Sequence, residues 1–229
     1  MTTRPGRGDI QWLFVDIGGV LLTDGWDQRA RRRAAKSFKL SWTEFQERHA
    51  LVFDTYEEGK LTLEEYLDHA VFHQKRAFTR AQFRRFMFAQ SKPYPRMIDL
   101  VGRLRVELGL KIAVVSNEAR ELNAHRIRTF HLSDVVDVFV SSCFVKLRKP
   151  DPDIFRLALD LAQALPRHVL YLENTSMFIH IAESLGIRGI LHTGYASTCG
   201  QLAKLGLRLE APALAIDQPA PRARKAATK

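Results

Sequence analysis

Trp12-Leu13-Phe14-Val15-Asp16-Ile17-Gly18-Gly19 decides how this chain folds: four apolar residues run into a carboxylate, and a glycine pair follows at once. A short apolar run that stops at a charge and a tight turn is the pattern of a buried strand. Working outward, Lys111–Val115, Val135–Val140, Val169–Leu172 and Gly189–His192 read as further strands. Helices over Arg96–Leu108, Ala119–Phe130, Pro152–Ala164 and Phe178–Leu185 fall between them. This alternation predicts an α/β fold, a Rossmann-like and mainly parallel sheet with right-handed crossovers and helices on both faces.

The stretch from Asp27 to about Gln90 has another character. Apolar residues recur at helical spacing in Leu51, Phe53 and Tyr56, in Leu63, Tyr66, Leu67 and Ala70, and in Phe83, Phe86 and Met87. Thr62 and Glu65 have the spacing of a capping box, and Pro93 and Pro95 punctuate the end. A small all-helical insertion after the first strand is therefore expected. The division is 10–24 and 94–210 for the α/β core and 25–93 for the insertion. The Ala/Pro-rich stretch 211–229 has no periodicity and reads as a flexible basic tail.

With 229 residues, 46% of them apolar, the chain can bury a core. Its longest apolar stretches, Trp12–Val15 and Ile112–Val115, are far too short to span a bilayer, and the start Met1–Arg7 lacks the apolar segment of a secretory signal. Cys143 and Cys199 stand in unrelated contexts. Reduced thiols and a cytoplasmic location are the expectation, with no membrane partner. The net charge of +10 is divided between the ends (Arg4, Arg7, Arg222, Arg224, Lys225, Lys229) and the helical run Arg29, Arg31, Arg32, Arg33, Lys36. No aromatic residues interleave with that run as a stacking platform, so it reads as a solvated basic face. Nucleic acid is not an expected partner, and the oligomeric state is not written in the sequence.

In an open parallel sheet, ligands bind at the carboxyl ends of the strands. Four segments deliver polar residues there: Asp16, Ser116-Asn117, Lys149 and Glu173-Asn174. Asp16 could attack an electrophilic phosphorus or carbon and form a covalent intermediate. Gly18 and Gly19 would let the backbone bend closely around the transferred group. Ser116, between strand and helix, suits a phosphate or carboxylate. Lys149 would supply a compact positive charge against the nucleophile and the substrate oxygens. Glu173 and Asn174 offer hard oxygen atoms that suit Mg²⁺.

Phe14-Val-Asp-Ile-Gly-Gly-Val20, Val115-Ser-Asn117, Arg148-Lys-Pro-Asp-Pro152 and Val169-Leu-Tyr-Leu-Glu-Asn174 together resemble the four ordered motifs of the haloacid dehalogenase superfamily, over about Trp12 to Gly194. The helical insertion resembles that family's C1 cap, which closes over the site and selects substrate. The stretch Gly18–Trp26 resembles the phosphatase-like subgroup. The resemblance implies a phosphatase acting on a small phosphorylated metabolite through an aspartyl-phosphate. Asp16 would be the nucleophile, Lys149 the charge stabiliser, and Ser116, Asn117, Gly18 and Gly19 the phosphate-binding group. Mg²⁺ would be held by Asp16, the Gly18 carbonyl, Glu173 and Asn174.

Two positions depart from the family pattern. Where those phosphatases carry a second Asp as general acid and base, this chain has Gly18. Such an acid typically contributes ~10²–10⁴-fold, which implies a slow enzyme or a borrowed proton donor. Asp24 is the candidate, with a linker or N-cap role as its plainer reading. Where the fourth motif normally ends in two acids, this chain has Glu173-Asn174, which removes a negative charge from the metal. One such charge at ~4 Å is worth ~4 kcal/mol at an effective dielectric of about 20, before desolvation. These departures leave two alternatives open: a catalytically weakened binding or regulatory protein, and a metal-independent haloacid dehalogenase-type hydrolase attacking carbon. Among the other residues, Trp26, Trp42 and Phe53 could line a pocket under the cap. His69 and His73 read as a solvated helix face and Cys143 as a buried thiol.

Overall fold

The computed structural model describes residues 10–209. The expected tail 211–229, and the charges at both ends of the chain, lie outside the described residues.

The strands β1 (Trp12–Val15), β2 (Lys111–Ser116), β3 (Val138–Ser141), β4 (Val169–Glu173) and β5 (Arg188–Leu191) form one parallel sheet in the order β3-β2-β1-β4-β5. β1 is the central strand, with Val15 in register with Val114 on one side and Leu172 on the other. A central parallel strand is covered on both faces, which is why β1 reads as an unbroken apolar run and is buried at every position.

Alternate residues face opposite layers. Leu13, Val15, Ile112, Val114, Leu170 and Leu172 pack in one cluster with Met97, Leu100, Val101 and Leu104. The last four lie on the helix Pro95–Leu108. Trp12, Phe14, Ala113, Val115 and Tyr171 pack on the other face against Ile154, Phe155 and Ala158 of the helix Asp153–Ala162, and against Ile179 and Ala182 of the helix Ser176–Ser184. The chain is therefore the expected α/β sandwich, and β1, β2 and β4 end at one rim.

Between β1 and the helix Pro95–Leu108 lie four helices, α1 (Gln28–Ser37), α2 (Trp42–Glu57), α3 (Leu63–Ala70) and α4 (Arg80–Phe88). Each starts at a side-chain cap. Thr62 and Glu65 form the expected capping box, Thr79 and Gln82 form a second, and Asp27, not Asp24, caps α1. Their core is aromatic: Phe83 meets Trp26 edge-on at 5.8 Å and Phe45 at 6.2 Å. It also takes in Ala119 and Leu122 from the core's own helix Arg120–Thr129, so the insertion is seated on the sheet domain. The two connections run side by side. The backbone N–H of Thr23 donates to Lys92 O, and that of Tyr94 to Leu21 O, both at 2.9 Å.

Three expectations need correction. The third strand begins at Val138, because Val135 and Val136 donate back to Leu132 O in a turn. The short helix Ser142–Val145 closes that strand. The helix Tyr195–Lys204 was not expected after the last strand, although Tyr195, Cys199 and Leu202 have the spacing of a core-facing stripe. Among the described residues no helix is long and apolar enough to cross a membrane.

Candidate active site

Lys149 is the hub of the site. Its side chain is 1% exposed, and the ammonium donates to Asp16 Oδ1 at 3.0 Å, Tyr171 Oη at 3.0 Å and Glu173 Oε2 at 2.6 Å. Those three bonds use all its protons. Asp16 sits one residue past β1, its backbone N–H donating to Leu172 O at 3.0 Å. Burial raises the Asp16 carboxyl to about 6; Lys149 pulls it down and Glu173 pushes it up. Desolvation acts to lower Lys149, but the two carboxylates outweigh it and hold the ammonium above its ordinary value.

Asn117 fixes the backbone of Lys149. Its Oδ1 accepts from the Lys149 N–H and its Nδ2 donates to the Lys149 carbonyl, both at 2.8 Å. This amide clamp ties the expected ligand-binding residue Asn117 to the placement of Lys149. Ser116 is buried at the end of β2; its hydroxyl donates to Glu118 Oε1 at 3.4 Å, and its nearness to Asp16 acts to lower that carboxyl.

Glu173 needs correction. Expected among the metal donors, it is fully buried and committed elsewhere. Its Oε2 accepts from Lys149 and from Tyr171 Oη at 2.5 Å, and its Oε1 accepts from the backbone N–H groups of Asn174 and Thr175 at 2.9 Å each. A carboxylate offers about four lone-pair sites, and all are taken. Glu173 anchors Lys149 and leaves no oxygen for a cation.

The other expected donors are the Asp16 carboxylate, the Gly18 carbonyl and the Asn174 carboxamide. Asn174 is exposed and lies over Gly19. A Cβ at Gly19, where φ is +74°, would stand 2.0 Å from Asn174 Nδ2, so Gly19 is what admits that side chain. Among the described residues no group of three or more His, Cys, Asp or Glu side chains could hold a metal. One carboxylate with neutral oxygens is the minimum that suits Mg²⁺, which keeps several waters and completes its shell with substrate phosphate. The donors fit Mg²⁺ on those terms, as a weak site.

Asp16, Gly18, Ser116, Asn117, Lys149 and Asn174 line a cavity of about 300 Å³ whose far wall belongs to the helical insertion. Trp26 and Phe53 are on that wall as expected. Trp42 is not among its lining residues; it stacks under the Arg32 guanidinium at 4.4 Å. Arg31, read as part of a solvated face, is 8% exposed, reaches the cavity and donates to Gln46 Oε1 at 3.2 Å and Trp26 O at 2.6 Å. Behind the wall, Trp26 Nε1 donates to Tyr66 Oη at 2.8 Å, which leaves the Tyr66 proton for His49 Nδ1 at 2.9 Å. Burial, then Arg31, lowers His49 to about 3, in keeping with a neutral ring.

Sequence reading missed a second buried ion pair beside Ser116. Glu118 and Arg126 are both about 2% exposed and bridged. Burial pushes Glu118 up, to about 7, against the pull of Arg126. Arg126 also donates to Ser91 Oγ at 3.0 Å and to the carbonyls of Thr23 at 3.3 Å and Asp24 at 2.6 Å. Both connections to the insertion are thus fastened to one guanidinium. His73 pairs with Glu44 at 2.8 Å and His69 is exposed, so they hold no common site. Cys143 is buried, which pushes its thiol up to about 11.

A family model described as haloacid dehalogenase-like hydrolase matches residues 10–191. The chain belongs to that family. In sequence, the haloacid dehalogenase-like chain is 27% identical over 217 residues to a phosphorylated carbohydrates phosphatase of Thermotoga maritima, covering 90% of this chain and 94% of that one. It is also 26% identical over 97 residues to an (S)-2-haloacid dehalogenase of a Pseudomonas species, covering 42% of each. In structure it is similar to a family member from Bacteroides thetaiotaomicron, solved in complex with magnesium and inorganic phosphate. There the TM-score is 0.67 at 21% identity, covering 81% of this chain and 96% of that one.

Proposed function

We propose that this haloacid dehalogenase-like hydrolase is a Mg²⁺-assisted phosphatase of a small phosphorylated metabolite, working through an aspartyl-phosphate on Asp16. Residues 25–93 serve as the cap over a core of 10–24 and 94–210. The observation that carries this reading is the Asp16 carboxylate, held on one oxygen by Lys149 and facing a cavity of about 300 Å³ roofed by the helical insertion. The cavity suits a metabolite-sized ester, and the phosphatase and magnesium-phosphate relatives point the same way.

In this mechanism an oxygen of Asp16 attacks phosphorus while Lys149 keeps the carboxylate ionised and offsets charge building on the phosphoryl oxygens. Ser116 hydrogen-bonds the phosphoryl group. Asn117 and Glu173 hold Lys149 in place from opposite sides. Mg²⁺, bound by Asp16, the Gly18 carbonyl and Asn174, would neutralise part of the phosphate charge. The helical wall excludes bulk water during the transfer. Asn174 slows the enzyme by weakening the cation, and Gly18 removes the usual acid, so the leaving-group proton has to come from another residue of the site.

The test is release of phosphate from a generic ester with and without Mg²⁺, in wild type and in Asp16→Asn. Activity confined to wild type with Mg²⁺ is the expected result; equal rates in both proteins would end the reading. The neutral Asn174 and the commitment of Glu173 favour one second reading, a scaffold that binds a phosphorylated ligand without turning it over. Ligand binding by calorimetry with no phosphate released would establish it.

A further inference from the structure

Gly18 leaves a space, and another residue stands beside it. A Cβ built on Gly18 would meet Asp24 Oδ1 at 3.5 Å and Asp24 Cα at 3.6 Å, ordinary van der Waals distances, with no other atom nearer. The first stretch of chain leaving the core for the insertion therefore delivers a carboxyl group to the neighbourhood a side chain at 18 would enter. Asp24 lines the same cavity as Asp16, and also an adjoining, more open groove of about 650 Å³. Its carboxylate makes no hydrogen bond among the described residues, so both oxygens are available to a substrate.

The position is held firmly. The Asp24 carbonyl accepts from Arg126 at 2.6 Å and from the Trp26 N–H at 2.9 Å. Gly25 makes that possible: its φ is +75°, and a Cβ there would stand 1.8 Å from Arg126 Nη2. Preorganisation of this kind is what a proton-transfer group needs, because misplacement by about 1 Å can cost about 10²-fold.

The geometry points to Asp24 as the general acid and base of the reaction, standing in for the side chain missing at position 18. This rests on the phosphatase reading above. In the first half-reaction Asp16 forms a bond to phosphorus, the bond from phosphorus to the leaving oxygen breaks, and that oxygen takes the Asp24 proton and departs as the alcohol. In the second, water attacks phosphorus, gives a proton back to Asp24, and the Asp16–phosphorus bond breaks to free inorganic phosphate. Arg126 is the positioning residue, acting only through the Asp24 backbone.

The experiment compares Asp24→Asn with wild type on an alkyl phosphate and on 2,4-dinitrophenyl phosphate. The leaving group of the second needs no proton. Asp24→Asn should lose ~10²–10⁴-fold on the alkyl ester and far less in the burst of dinitrophenolate. Gly18→Asp in the Asp24→Asn background should recover alkyl-ester turnover. The Mg²⁺ concentration giving half-maximal rate should not move. Equal losses on both esters, no loss on either, no recovery by Gly18→Asp, or a weakened Mg²⁺ response would each overturn the assignment. If instead wild type and Asp16→Asn release phosphate alike, the phosphatase reading itself fails and the proposal with it.

Discussion

Glu173 holds the ammonium of Lys149 at 2.6 Å, closer than the 3.0 Å at which Lys149 reaches Asp16. The lysine is therefore anchored by one buried acid and presented to another. Both carboxylates are compensated by the same charge.

Lys149→Met should leave two acids in the interior with no cation between them. Breaking a buried pair in this way costs about 3–5 kcal/mol, which chemical denaturation will read as a lower midpoint. The Asp16 carboxyl, already raised to about 6 by burial, loses the interaction that pulls it down, so turnover near neutral pH should vanish. A stable and active Lys149→Met variant would contradict the arrangement.

Asn174→Asp should tighten Mg²⁺. The added charge faces the cation in place of a neutral amide, and after desolvation at least a tenfold gain in affinity (about 1.4 kcal/mol) is expected. Calorimetric titration of both proteins measures it. If activity survives complete chelation in wild type, the cation is dispensable and the carbon-attacking reading gains ground.

His49 sets a pH limit on the helical insertion. Folding lowers its pKa from 6.5 to about 3, so the unfolded chain binds the extra proton first. The stability it contributes is fully present above about pH 6.5 and is lost as pH falls towards about 3. Each unit of that window costs up to about 1.4 kcal/mol. The difference in unfolding free energy between wild type and His49→Gln, followed from pH 7 to pH 4, should narrow or reverse on acidification. A difference independent of pH would show that folding leaves the pKa of His49 unchanged.

Arg126→Met should release both connections to the insertion and strand Glu118 in the interior. A loss of about 3–5 kcal/mol is expected, with faster backbone hydrogen exchange at residues 23–25 and at Ser91. Glu118→Gln with Arg126→Met should recover part of it. Protection unchanged at those residues would mean the insertion is held by its apolar contacts alone.

Much of this site was legible because Asp16, Ser116 and Glu173 stand at strand ends. Asp16 and Ser116 follow apolar runs, and strands in parallel register bring their ends to one rim whatever the chain does between them. The Thr62–Glu65 capping box was legible for a similar reason, since cap chemistry is local. The role of Glu173 was not: only the packing shows that its neighbour Tyr171 and two backbone N–H groups fill its oxygens. Arg31 reads in the sequence as part of a solvated basic face, and nothing in the spacing says that it or Arg126 turns its guanidinium inward to bind carbonyls of the connecting chain. The helix after β5 was obscured by its Ser-Thr-Cys-Gly composition, which carries a weak propensity although Tyr195, Cys199 and Leu202 face the core.

The central claim is that Asp16 becomes phosphorylated. Wild-type protein mixed with an excess of a phosphate ester and Mg²⁺, quenched in acid within one turnover and digested, is to be weighed by mass spectrometry. The peptide spanning Trp12 to Gly19 should gain one phosphoryl group, lost on treatment with hydroxylamine and absent from Asp16→Asn. Phosphate release with that peptide unmodified, or a phosphoryl group found on another residue, would contradict the account.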